Sequence, residues 1–112
     1  MTTFKVQQIL KQVEQIYQSM NIYNALFVRS SNNTAIDNQV IHEMEEQQYP
    51  IVEWYKDIDF LNTYRILVIE LHDLVYLKNQ MEFFTLVMTT TDTIFNQLME
   101  NPLCENATIV KL

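Results

Sequence analysis

His42 with Glu46 one helical turn later, and Glu70 with His72 two residues on, are pairs whose spacing sets two metal-binding side chains on one face of a helix or a strand. Two ligands do not hold a metal, and nothing in the linear order brings the pairs together. His42 among carboxylates reads more simply as an exposed surface histidine. For nucleophilic catalysis, Cys104 or one of the many Ser and Thr hydroxyls would have to meet His42 or His72, and no local signature supports it. Cys104, following Pro102 and Leu103, has the character of a partly buried structural thiol. The run Thr89-Thr90-Thr91-Asp92 reads as a strand end followed by a helix cap. No catalytic residue, cofactor or metal is therefore expected.

Glycine decides more. The chain has 112 residues and no glycine, where average usage of about 7% would give about eight. Phosphate-cradling loops need glycine for close backbone approach, and the nucleophile elbow of hydrolases needs small residues around its serine. Neither can be written here. Left-handed turns must then fall to Asn, Asp or His, which accounts for the ten asparagines.

The remaining feature with chemical content is charge. Residues 37–59 hold seven acids, Asp37, Glu43, Glu45, Glu46, Glu53, Asp57 and Asp59, against Lys56, a local net of −6 in a chain of net −7. Such a surface repels nucleic acid and raises the on-rate of a basic protein, while nearby aromatic side chains supply anchor area. The sequence thus points to a non-enzymatic acidic protein-interaction module, of the small inhibitor, immunity-type or nucleic-acid-mimic kind. Its partner would be a basic protein, a nucleic-acid-binding protein being one example. The contact residues expected are Glu43, Glu45, Glu46, Tyr49, Glu53, Trp54, Asp57 and Asp59. Two alternatives stand beside it: a homodimeric assembly module that uses a Gln-rich helix face or a sheet edge, and a small ligand-binding domain or enzyme with a pocket between sheet and helices, which a buried polar cluster around Glu70 and His72 would favour.

The first residues, Met1 to Gln8, lack the basic segment and apolar run of a signal peptide, and Cys104 has no partner in the chain. A reducing cytoplasm is the compartment expected. Arg65, Glu70, His72, Asp73, Lys78 and Glu82 interrupt the most apolar block, so no membrane span is expected.

These residues must be carried by a single domain, 1–112. From Thr3 to Met20 the apolar positions Phe4, Val6, Ile9, Leu10, Val13, Ile16, Tyr17 and Met20 predict an amphipathic helix, with Gln7, Gln8, Gln12, Gln15 and Gln18 on its outer face. Ile22 to Arg29 predicts a strand, Thr34 to Ile36 its returning hairpin partner, and Asp37 to Tyr49 a second helix with Asp37 as N-cap. Ile51 to Tyr55 reads as a short strand or link. The block from Arg65 to Thr90 predicts three antiparallel strands, 65–71, 74–77 and 81–90, broken at His72-Asp73 and Lys78-Asn79-Gln80. A helix opened by Asp92 and an edge strand over Ala107 to Leu112 complete the order.

The expectation is an α+β domain: an antiparallel sheet, hairpin plus meander, covered by about three helices. A mostly α fold with a long helix across residues 60–88 is the alternative, since Leu67, Val68, Leu71, Leu74 and Val75 also fall at helical spacing. In element order alone the first arrangement resembles small profilin-like, roadblock-like or GAF-like sheets.

Overall fold

The computed structural model describes residues 3–19, 24–30, 34–53 and 65–112. Helix α1 spans Phe4–Ser19 and buries Val6, Ile9, Leu10 and Val13 of the stripe its spacing prescribes, with Ile16 and Tyr17 half-buried, Phe4 exposed and Met20 outside the described residues. It opens where the Thr3 hydroxyl accepts the Val6 N–H at 3.2 Å. Strand β1, Asn24–Arg29, is covered on both sides along nearly its whole length. Helix α2 covers Thr34–Glu46 and is followed by a two-residue strand β2, Ile51–Val52. Then come β3 at Arg65–Glu70, β4 at Leu86–Thr89, helix α3 at Asp92–Met99 and β5 at Thr108–Lys111. Between β3 and β4 the chain runs through two 3-10 helices, Leu71–Leu77 and Met81–Phe83.

All five strands are parallel, in the order β2-β3-β1-β4-β5. The antiparallel sheet expected from the sequence is therefore wrong, and with it the likeness to profilin-like, roadblock-like or GAF-like sheets. Thr34–Ile36 is the first turn of α2 and not a returning strand, and residues 74–77 lie in a 3-10 helix. The long-helix alternative fails as well, because residues 65–70 and 86–89 are strands.

The physical reason lies in burial. Ala25-Leu26-Phe27-Val28, Ile66-Leu67-Val68-Ile69 and Leu86-Val87-Met88 are buried without a break, and strands buried on both faces lose the polar alternation of a half-solvated meander. Parallel neighbours then require a crossover, which a two-residue break such as His72-Asp73 cannot make. Residues 71–85 provide it instead, sending Leu74, Leu77 and Phe84 into the core. At its start the Glu70 N–H donates to the Asp73 carboxylate at 3.1 Å, half of a reciprocal cap.

Each face of the sheet has its own core. On one, α1 and α2 pack Val6, Ile9, Val13, Val40, Ile41 and Met44 against Ala25, Phe27, Ile66, Val68, Leu86 and Met88. On the other, the crossover and α3 pack Leu74, Leu77, Phe84, Ile94 and Leu98 against Leu26, Val28, Leu67, Ile69 and Val87. From β1 the chain crosses on the first face through α2 to β2, which lies beyond β3, and from β3 it passes β1 to reach β4 by way of the second face. Reversing direction and face together keeps one hand of crossover, the rule of doubly wound sheets. The Cα radius of gyration, 13.0 Å, is that of one compact unit.

The glycine-free composition shows itself once in the described backbone. Gln48 has φ of 68°, and is the one residue there with positive φ. It ends α2 in a Schellman motif, with Gln48 N–H donating to Glu45 C=O at 2.9 Å and Tyr49 N–H to Met44 C=O at 2.9 Å. The left-handed position thus goes to glutamine, and not to Asn, Asp or His as expected. A side chain at that φ costs about 1 kcal/mol, so Gln48→Gly should raise stability by about 1 kcal/mol and the thermal midpoint by about 4 °C. An unchanged or lowered midpoint would show that the turn is not left-handed.

Candidate functional site

Open parallel sheets present their ligand crevices beyond the carboxyl ends of the strands, where the winding reverses. Here that place lies at the ends of β1 and β4, beside the start of α2. The chain has put its own carboxylate there. Asp37, in the first turn of α2, is fully buried. One oxygen accepts the Ser30 backbone N–H at 2.7 Å and the other accepts the Thr90 hydroxyl at 2.5 Å. Next to it the Thr89 hydroxyl donates to the Val28 C=O at 3.0 Å, tying β4 to β1. Arg29 Nη2 reaches the Asn38 side-chain oxygen at 2.5 Å on the exposed rim.

A helix amino terminus and a neighbouring N–H are the groups that would attract an anionic ligand. With the Asp37 carboxylate already accepting the Ser30 N–H in the first turn of α2, a second anion meets like charge. Asp37 was expected from the sequence as an N-cap and a member of the acidic surface. It is neither of these, but an internal tie between the β1–α2 turn and the end of β4. The segment Thr89–Asp92 was expected as strand end plus cap with Asp92 as the capping residue, but the α3 N-cap is Thr91 and Asp92 is the first residue of the helix. The Thr91 hydroxyl makes no capping bond and is buried without a partner. Sequence reasoning missed the Asp37–Thr90 contact because the two are 53 positions apart.

The second place is the outer side of α2. Asn38, Ile41, His42 and Glu45 from the helix and Glu53 from the end of β2 line one open groove. His42 Nε2 lies 3.8 Å from Glu46 Oε1, with both side chains about two-thirds exposed. Glu45, Glu46 and Glu53 are exposed, and Glu43 is half-buried. Tyr49 is half-buried too and turns inward, edge-on to Tyr17 with ring centroids 5.3 Å apart. Burial raises both phenols above their usual range, helped at Tyr17 by Tyr49 and at Tyr49 by Glu14. Tyr49 is thus engaged in packing. Trp54, Asp57 and Asp59 lie outside the described residues.

The two histidine pairs do not converge. His42 belongs to α2 on one side of the sheet, while His72 stands in the 3-10 helix on the other, 3.4 Å from Glu70 and 3.4 Å from Asp73. Among the described residues no three His, Cys, Asp or Glu side chains are grouped to hold a metal ion. Cys104 is buried, and burial pushes its thiol above the usual range.

Fold and site together define a small doubly wound α/β protein with an internally closed switch point and an acidic outer groove. No known protein family, curated protein or solved structure matches the chain. Among the described residues no helix is long and apolar enough to cross a membrane.

Proposed function

We propose that the protein is a non-enzymatic interaction module whose α2–β2 groove docks a basic protein. The observation that carries this reading is the meeting of Glu45 and Glu53, from two different segments, with His42 along one open groove, Glu46 standing 3.8 Å from that histidine. Carboxylates held apart by a helix and a strand end keep their charge facing outward, which favours fast encounter with lysine- or arginine-rich surface. Ile41 at its floor adds a small apolar contact. The carboxylate bound within the switch point supports a surface role over an anionic substrate pocket.

Reversing charge at Glu45 and Glu53 together should abolish capture of salt-sensitive basic partners from lysate. The control Glu82→Lys, an exposed site in the β3–β4 crossover, should capture as the unmodified chain does. Quantitative mass spectrometry of the recovered proteins checks both. Equal recovery of the same basic proteins by all three chains would remove the groove from this role.

A further inference from the structure

β5 closes one side of the sheet and, among the described residues, pairs only with β4. The Thr108 N–H donates to Thr85 C=O at 2.9 Å and the Leu112 N–H to Thr89 C=O at 2.7 Å. Because backbone groups alternate along a strand, the N–H and C=O of Ile109 and Lys111 point away from β4. At the opposite edge β2 has two residues among those described. Beside β5 is a groove of about 420 Å³ lined by Met99, Glu100, Glu105, Ala107 and Ile109, and Met99 is 61% exposed.

We propose that β5 is a self-pairing edge, on which a second copy of this chain docks antiparallel about a two-fold axis at Val110, joining the two sheets into one. Charge selects that occupant. Lys111 is the one basic residue after Lys78, whereas Glu100 and Glu105 line the groove at the other end of the same strand. A two-fold through Val110 sets Ile109 of each copy opposite Lys111 of the other, the register in which the outward backbone groups meet. Ile109 and Lys111 share a face, the one on which Ile109 packs with α3. Each lysine then arrives at the mouth of the other copy's acidic groove, and its stem covers Met99 and Ile109. The present Lys111–Asp92 contact, 3.6 Å with the side chains 41% and 82% exposed, is a weak surface pair that yields to this exchange.

The test is sedimentation equilibrium of the 112-residue chain from micromolar to several hundred micromolar concentration. A dimer is expected for the unmodified chain. Lys111→Glu alone, and Glu100→Lys with Glu105→Lys alone, should each weaken it about tenfold or more, since both symmetric contacts then set like charges together. Mixing the two variants should restore a heterodimer, which also serves as the folding control. A chain that stays monomeric throughout overturns the proposal and assigns the edge to another protein's strand. A dimer indifferent to both variants overturns it too, since association would then use another surface such as the Gln-rich face of α1.

Discussion

Phe27→Ala should lower the unfolding free energy by about 4 kcal/mol, measured as a shift of the urea midpoint at unchanged slope. Phe27 sits in β1, the central strand, fully buried and facing α1 and α2. β1 is held by β3 on one side and β4 on the other, so the neighbouring backbones cannot close over the lost ring. The cavity term therefore adds to the transfer term. Against a total stability of about 5–15 kcal/mol, a loss of this size is about a quarter of the total or more. Phe27→Leu, which retains most of the volume, should cost about 1 kcal/mol. A loss under about 1 kcal/mol for the alanine variant would show that β1 is not the centre of the sheet.

Asp37→Ala is the second large effect, expected at about 3 kcal/mol. The carboxylate accepts two hydrogen bonds in a fully buried site, from Ser30 N–H and from Thr90. Hydrogen bonds to a charged group contribute about 1.5–3 kcal/mol each, and alanine leaves two donors without this acceptor away from water. Thr90→Val alone should cost about 1–2 kcal/mol, because the valine has the same shape and needs no partner. The double variant should then fall well short of the summed losses, since the second change removes a bond already gone. Additivity within about 0.5 kcal/mol would mean that Asp37 and Thr90 do not interact. The pair joins the first turn of α2 to the end of β4, so its loss should also loosen the rim that carries Arg29 and Asn38.

The proposed groove depends on that same rim. Asn38 belongs both to the Arg29 contact and to the lining shared with His42, Glu45 and Glu53. A variant that melts the start of α2 would disturb the acidic surface indirectly. This is why Glu45 and Glu53, which are exposed and take no part in the Arg29–Asn38 contact, are the positions that test docking.

Local pattern was a good guide to single elements. The stripe of α1, the helix after Asp92 and the strand at the end of the chain all fall within a residue or two of where spacing and capping put them. The second helix was recognised by Val40, Ile41 and Met44, but its start was placed at Asp37 and not at Thr34. An acid before an apolar stripe commonly serves as a cap, and Asp37 has that position in the sequence. Its true partner, Thr90, is invisible to any local rule. The acidic surface was legible as composition, but not that Asp37 would leave it or that Tyr49 would turn toward Tyr17.

What the amino-acid order determined alone is which segments carry apolar stripes, that no glycine-dependent phosphate loop exists, and that negative charge gathers in residues 37–59. What only the tertiary structure decided is how the strands pair. Leu26, Leu67 and Val87 share one face and Phe27, Val68 and Met88 the other, whichever direction the neighbours run. Direction is set by whether helices cover both faces, which is a matter of packing between segments distant in sequence. The same holds for Asp37, whose neighbours come from β1 and β4 and exist only once the sheet has been wound.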